Sequence, residues 1–167
     1  GMKRTNPDKI IFSYQGDGDL AAIGTGEIVH AAHRGEQITV IFINNAVFGM
    51  TGGQMAPTTI LGQVTTTTTK GRQAATEGHP LQVSELLASL PGAIYLERCS
   101  VHKPARVKNT KKAINHVFQL QLEGAAGLSM VEVLCPCPTN WRMTPVQAIK
   151  WIETEMIKVF PLGRIKG

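Results

Sequence analysis

The chain has 167 residues, of which 43% are hydrophobic and 17% are charged. This length and composition predict one domain with its own hydrophobic core. No run of about 18 apolar residues is present, so we expect no membrane span, and we expect no secretory leader. Gly1 precedes Met2 in the manner of a residue left by tag removal, so the predicted domain is residues 2–167.

The formal net charge is +5, from 17 basic and 12 acidic residues. A basic chain is a candidate for nucleic-acid binding. However, aromatic residues make up only 5% and no recognition motif accompanies the charge, so we expect no nucleic-acid partner. The local basic cluster, Lys103–Lys112, is typical of a solvated helix face, with a docking surface for an acidic protein as the alternative.

Two apolar runs, Ile10–Tyr14 and Ile38–Ile43, predict buried strands. Between them, Leu20–His33 has apolar residues at helical spacing, so the stretch predicts a strand–helix–strand unit with parallel strands. Each predicted strand is followed by a polar cluster. Because open α/β sheets bind ligands at the carboxyl ends of parallel strands, we expect the two clusters to form one site.

The residue types in these clusters fit a phosphate and a divalent cation. Gly16 and Gly18 let backbone N–H groups approach a ligand closely, and the helix beginning near Asp19 directs its positive end toward them. Asp17 would add negative charge beside a phosphate, which requires a cation between them. Asn45, 28 residues further on, offers an amide oxygen. These oxygens, with backbone carbonyls and a diphosphate, form a shell suited to Mg²⁺.

The rest of the chain alternates predicted loops, helices and strands. Ala46–Gln63 is predicted as a glycine-rich loop. The composition of the threonine-rich Val64–Ala75 predicts a mobile loop or an inter-subunit contact, with a disordered segment as an equal alternative. Four further segments are predicted as helix, strand, helix and strand, in the order His79–Leu90, Ala93–Arg98, Pro104–Glu123 and Leu128–Leu134. The last helix, Pro145–Met156, precedes a tail, Phe160–Gly167, available to dock on a partner subunit. The predicted fold is α/β, a mostly parallel sheet of about four or five strands with helices on both faces.

Several stretches resemble one protein family. Gly16-Asp17-Gly18, followed after such a gap by Asn44-Asn45, looks like the thiamine-diphosphate binding motif. The phrase Gly-Met-Thr-Gly-Gly-Gln-Met-Ala-Pro-Thr-Thr at 49–59 and the segment Pro136–Trp141 extend the likeness along nearly the whole chain. Together they resemble the beta subunit of 2-oxoacid:ferredoxin oxidoreductases, in the branch for 2-oxoisovalerate or 2-oxoglutarate.

The resemblance implies a cofactor site with defined residues. Its Mg²⁺ ligands are the side chains of Asp17 and Asn45 and the backbone carbonyl of Val47. The residues matched to thiamine-diphosphate binding are Gly16, Asp17, Gly18, Asp19, Asn44, Asn45, Val47, Gly49, Met50 and Thr51. Thr51 and Gln54 have two interpretations of equal weight, contacts to the diphosphate or substrate and hydrogen bonds within the loop. No catalytic residue is implied, because the group that activates the aminopyrimidine belongs to another domain in this family.

The implied reaction is the oxidative decarboxylation of a 2-oxo acid, in which coenzyme A receives the acyl group and ferredoxin receives the electrons. We expect the chain to be inactive without an alpha-type subunit, with gamma and delta subunits as further partners. Ferredoxin is then the acidic protein that the basic cluster would attract.

The chain has three cysteines, Cys99, Cys135 and Cys137. An odd number without a leader favours a cytoplasmic protein over a disulfide scaffold. Cys137 matches the fourth ligand of the family's [4Fe–4S] cluster. The family's N-terminal segment, which carries the other three ligands, has no match here, so we expect the chain to be N-terminally truncated relative to the family. An iron–sulfur ligand at Cys137 is therefore expected only in a complete assembly.

Two alternatives remain open from the sequence. One is a truncated, cofactor-free module with a structural or interaction role, and the other is a basic nucleic-acid binder. Thermal stability with added thiamine diphosphate and Mg²⁺, or with an oligonucleotide, distinguishes them, because a ligand that binds only the folded state raises the melting temperature.

Overall fold

The structure is a computed structural model that describes residues 1–167. Its strands are β1 (Phe12–Gly16), β2 (Thr39–Asn44), β3 (Ala93–Ser100), β4 (Leu128–Leu134) and β5 (Gly163–Lys166). They form one five-stranded sheet in the order β1-β2-β4-β3-β5. β1 pairs with β2, β2 with β4 and β3 with β4 in parallel, whereas β5 pairs antiparallel with β3. The predicted α/β fold with a mostly parallel sheet is confirmed.

Eight α-helices and two π-helical turns surround the sheet. The helices are α1 (Met2–Thr5), α2 (Thr25–His33), α3 (Ala74–Glu77), α4 (Val83–Ala88), α5 (Pro104–Leu122), α6 (Pro138–Trp141), α7 (Pro145–Trp151) and α8 (Ile157–Val159). The π-helical turns are Asp19–Ile23 and Ile152–Met156. No helix combines the length and the apolar character needed to cross a membrane.

Successive side chains of the central strands pack on opposite faces of the sheet, as the pleat requires. Val40 and Phe42 on β2 join a core cluster with α2 and α4, whereas Ile41 joins a second cluster with α5. Each fully buried side chain of this size contributes about 1.5–3 kcal/mol. Burial on both faces explains why β4 is apolar almost throughout and every residue of it is buried.

A third core cluster lies at the carboxyl end of the sheet. Its members come from the C-terminal helices, the loop after β2 and the end of β4, and include Ala46, Val47, Leu134, Trp141, Ala148, Ile152, Met156 and Phe160. The rings of Trp141 and Trp151 lie 4.5 Å apart by centroid. The C-terminal helices therefore support the loop that was predicted to bind the cofactor.

The helix predicted at Leu20–His33 is divided in two. A π-helical turn occupies Asp19–Ile23, and the N–H of Gly24 donates to the carbonyl of Asp19, five residues earlier, at 2.6 Å. A β-carbon at Gly24 would lie 2.8 Å from that carbonyl oxygen. The α-helix proper begins only at Thr25, so its positive end lies a turn away from the glycine cluster.

Two segments predicted as a tail and a mobile loop are integrated into the domain. Phe160 is fully buried, and β5 adds a strand to the sheet. The ammonium of Lys166 donates to the carbonyls of Ala88 and Leu90 at 3.1 and 2.7 Å, which ties β5 to the end of α4. In the threonine-rich segment, the buried hydroxyls of Thr65 and Thr68 bond to each other at 2.6 Å.

Candidate functional site

The two polar clusters meet at the carboxyl ends of β1 and β2. Asp17, just after β1, is 2% exposed. Its carboxylate accepts hydrogen bonds from the N–H groups of Gly18 and Val47 at 3.0 and 3.1 Å, and from the hydroxyl of Thr58 at 2.8 Å. All three donors are neutral, and none of the ion pairs in the structure involves Asp17.

Burial raises the pKa of Asp17 to about 6, and the hydrogen bonds from Thr58, Val47 and Gly18 act in the opposite direction. A buried charge is stable when it is paired or coordinates a metal. The buried carboxylate of Asp17, which has only neutral hydrogen-bond donors, therefore fits a bound cation.

The turn after β2 holds an unusual backbone conformation. Ala46 has a φ of 56° in the left-handed region, which costs a non-glycine residue about 1–2 kcal/mol. Three hydrogen bonds offset that cost. The N–H of Ala46 donates to the side-chain oxygen of Asn44 at 3.1 Å, and its carbonyl accepts from Thr59 and Gln63 at 2.7 and 3.0 Å.

This turn brings Asn45 beside Asp17. The N–H of Val47 donates to the carboxylate of Asp17 at 3.1 Å and also contacts the amide oxygen of Asn45 at 3.3 Å. Both oxygens thus lie around one N–H group. The two side chains that the sequence matched to Mg²⁺ are neighbours in the structure.

The carbonyl of Val47 is the one backbone oxygen in this turn that remains available. Between residues 44 and 49, the other carbonyls accept hydrogen bonds from Cys135 (to Asn44), Trp141 (to Asn45), Thr59 and Gln63 (to Ala46), Gly53 (to Phe48) and Asn140 (to Gly49). The carbonyl of Val47 accepts none. A carboxylate, an amide oxygen and a vacant carbonyl form a set of oxygen donors suited to Mg²⁺.

The glycine turn is packed against the loop after β2. A β-carbon at Gly18 would lie 2.4 Å from the ring of Phe48, whereas one at Gly16 would meet only the carboxylate of Asp19 at 3.7 Å. That carboxylate accepts the N–H of Gly16 at 3.2 Å. Gly18 has ordinary helical dihedrals, so its requirement for glycine comes from the Phe48 ring and not from a positive φ.

A family comparison accounts for this arrangement. The model of the thiamine pyrophosphate enzyme C-terminal TPP-binding domain matches residues 1–133, which include both polar clusters. The chain belongs to this family. The cofactor of this family is thiamine pyrophosphate (thiamine diphosphate), so the resemblance of the two polar clusters to the thiamine-diphosphate binding motif is confirmed.

Curated relatives of this TPP-binding domain are oxidoreductase subunits. The chain is 46% identical over 166 residues to ketoisovalerate oxidoreductase subunit VorA of Methanothermobacter thermautotrophicus, covering 99% of this chain and 35% of the relative. It is 35% identical over 153 residues to 2-oxoglutarate synthase subunit KorB of Archaeoglobus fulgidus, covering 92% and 52%. The chain thus spans about a third to a half of these relatives.

A solved structure has the same fold. The 2-oxoglutarate:ferredoxin oxidoreductase of Magnetococcus marinus, determined with 2-oxoglutarate, coenzyme A and succinyl-CoA bound, superposes with a TM-score of 0.72 at 24% identity. The match covers 92% of this chain and 47% of that chain. At this identity the comparison establishes the shared fold alone.

The remaining predicted cofactor residues lie on the loop of the TPP-binding domain just beyond the turn. Gly49 lies against the side chains of Asn45 and Cys137, and Met50 is fully exposed. The hydroxyl of Thr51 donates to the side-chain oxygen of Gln54 at 2.7 Å, and the amide of Gln54 donates back to the carbonyl of Thr51 at 3.0 Å. In this structure Thr51 and Gln54 therefore hydrogen-bond each other.

Sequence reasoning missed two residues that shape the site. Thr58 donates directly to Asp17. Arg72 is 5% exposed, and its guanidinium donates to six backbone carbonyls, those of Ala56, Pro57, Thr59, Glu77, Gly78 and His79. Arg72 therefore fixes the loop that carries Thr58. The phrase at 49–59 pointed to the loop, but no sequence pattern predicted that Arg72 would bind backbone carbonyls on both sides of its own position.

The three cysteines do not form an iron–sulfur site within this chain. The structure contains no group of three or more His, Cys, Asp or Glu side chains arranged to hold a metal, and a cluster needs about four thiolates. Burial raises the pKa of the Cys99 thiol to about 12, which makes it a poor ligand. Cys137 lies at the rim of the site, where its sulfur accepts from the amide of Asn140 at 3.2 Å.

Proposed function

We propose that the chain is the subunit of a 2-oxoacid:ferredoxin oxidoreductase that holds thiamine diphosphate and Mg²⁺. The observation that carries this proposal is the buried carboxylate of Asp17, which has no cationic partner and shares one N–H group with Asn45. Membership of the family of TPP-binding domains indicates the cofactor, and the relatives named for ketoisovalerate and 2-oxoglutarate indicate the substrate class.

The residues divide into two roles. Asp17, Asn45 and the carbonyl of Val47 would hold Mg²⁺, and the segment Gly16–Asp19 with Gly49, Met50 and Thr51 would hold the diphosphate and the rest of the cofactor. Asn44, matched to the same motif, is fully buried and would serve this second role through the turn that its side chain holds. When bound, thiamine diphosphate supplies the electron sink for decarboxylation of a 2-oxo acid, here 2-oxoisovalerate or 2-oxoglutarate. The chain's own contribution is to neutralise the diphosphate through the metal and to fix its position.

The full reaction requires other subunits. No residue of this chain matches the group that activates the aminopyrimidine, so an alpha-type subunit must supply it, with gamma and delta subunits, coenzyme A and ferredoxin completing the system. Cys137 would be one ligand of a [4Fe–4S] cluster whose other thiolates lie outside this chain. Three free cysteines and no disulfide fit a cytoplasmic location.

The test is the substitution Asp17→Ala, with calorimetry on the chain assembled with its partner subunit. We expect Mg²⁺-dependent binding of thiamine diphosphate to be lost, because Asp17 is the only carboxylate in the proposed metal shell. Glu27→Ala is the matched control, since Glu27 is an exposed carboxylate on the adjacent helix α2. Unchanged affinity in Asp17→Ala would refute the metal assignment.

A thermal titration distinguishes the cofactor-free alternative. Thiamine diphosphate with Mg²⁺ at 100 times its dissociation constant should stabilise the folded chain by about 2.7 kcal/mol. If the cofactor changes the melting temperature of neither the chain alone nor its assembly with the partner subunit, a structural module is favoured. A rise with an oligonucleotide instead would favour the nucleic-acid binder.

A further inference from the structure

A buried charged network lies beneath the turn that carries Asn45. Glu132 on β4 is 1% exposed, and its carboxylate accepts hydrogen bonds from the amide of Asn44 at 2.8 Å, from the hydroxyl of Ser84 and from Nε of Arg98 at 2.8 Å. Arg98 stands opposite Glu132 in register on β3 and is itself buried. Its remaining nitrogens donate to both carboxylate oxygens of Glu85 at 2.7 and 2.6 Å.

This network determines which way the amide of Asn44 points. A carboxylate has only acceptors, so only the NH₂ group of Asn44 can face Glu132. The amide oxygen is then directed to the N–H of Ala46, at 3.1 Å. The reversed amide would place two oxygens together and leave the buried N–H of Ala46 without a partner.

We propose that Glu132 is a positioning residue for the Mg²⁺ and thiamine-diphosphate site. It orients Asn44, the oriented amide holds Ala46 in its left-handed conformation, and that turn places Asn45 and Val47 beside Asp17. Glu132 itself contacts neither metal nor cofactor in this role. The inference deepens the proposed function and rests on it.

The substitution Glu132→Gln tests the role, because the new amide can face Asn44 with either end. In the ligand-free chain we expect hydrogen exchange of the Ala46 amide to accelerate at least about tenfold, while the amides of Val40–Phe42 in β2 keep their protection. In the assembled complex we expect Mg²⁺-dependent affinity for thiamine diphosphate to fall about 10- to 100-fold, as for other groups that orient metal ligands.

Ser84→Ala is the matched control. It removes another donor to the same carboxylate without touching Asn44, so we expect affinity and Ala46 exchange to remain near those of the wild type. A loss in Ser84→Ala equal to that in Glu132→Gln would overturn the proposal, because the carboxylate would then act through general stability.

Asn44→Ala gives a second route that leaves the pair of Glu132 and Arg98 intact. We expect faster Ala46 exchange and weaker affinity, with no further loss when Glu132→Gln is added. Additive losses, or an Ala46 amide that stays protected in both single variants, would overturn the positioning role. If the exchange results hold but the wild-type assembly binds no thiamine diphosphate, the proposed function fails and the positioning of Ala46 stands.

Discussion

At the scale of single residues, the site is defined by a buried carboxylate whose ionised form destabilises the metal-free fold. Asp17 is buried, and burial raises its pKa to about 6. The folded chain then binds a proton more tightly than the unfolded chain. The contribution of Asp17 to the free energy of unfolding is therefore full below about pH 4 and is lost as the pH rises to about 6. A bound divalent cation would reverse this penalty.

The stability of the metal-free chain should therefore depend on pH through Asp17. Replacing Asp17 with Asn removes the titration, so we expect the stability of Asp17→Asn relative to wild type to rise between pH 4 and pH 6. A shift of about two pKa units corresponds to about 3 kcal/mol. Urea denaturation at closely spaced pH values measures the difference, and a difference that does not vary with pH would contradict a raised pKa.

Thr58 should act through the charge of Asp17. We expect Thr58→Val to destabilise the metal-free chain more at pH 8 than at pH 4, because a hydroxyl bonds more strongly to an ionised carboxylate. The added cost at high pH should be about 1–2 kcal/mol. Thr59→Val is the control, since Thr59 is equally buried but bonds only to backbone groups. Its cost should be the same at both pH values.

At the scale of elements, the glycine turn and the loop after β2 depend on each other. Gly18→Ala places a methyl group against the ring of Phe48, so we expect a loss of about 1–3 kcal/mol. The double variant with Phe48→Leu should recover part of this loss, because the smaller side chain leaves room. Chemical denaturation of the four chains gives the coupling, and purely additive effects would show that the contact is not the cause.

The elements that periodicity predicted best are those whose pattern is set by burial. β4 has the bounds predicted from its apolar run, and α5 ends one residue earlier than predicted. The division of the first helix was missed, because the apolar residues keep a helical spacing on both sides of Gly24, with Leu20 and Ile23 before it and Ile28 and Ala31 after it. The π-helical turn arises from a single carbonyl of Asp19 meeting a glycine that has no β-carbon, and apolar spacing does not record such a contact.

At the scale of the whole molecule, β5 closes one edge of the sheet. Deleting residues 163–167 would expose the edge of β3 and free the carbonyls that Lys166 binds, so we expect a lower melting temperature and concentration-dependent association. Light scattering with thermal denaturation measures both. Lys166→Ala, which keeps the strand, should lower the melting temperature without association, and a deletion variant that stays monomeric would contradict the edge role.

Most polar contacts between residues far apart in the chain could not be predicted from the sequence. The pairing of Asp17 with Asn45 followed from strand order alone, since both lie at carboxyl ends of adjacent parallel strands. The contacts of Glu132 with Asn44 and Arg98 join three strands, and an isolated glutamate in an apolar run gives no partner. The role of the C-terminal residues was likewise missed, because four residues of mixed polarity carry no strand pattern.

The hydrogen bond from Trp141 to the carbonyl of Asn45, at 3.0 Å, has a practical consequence. The chain has only two tryptophans, and the second, Trp151, is in contact with the first. All of the intrinsic indole fluorescence therefore originates beside the turn that is proposed to bind Mg²⁺. Occupation of the site should change the emission wavelength or intensity, so the unlabelled protein carries its own optical reporter.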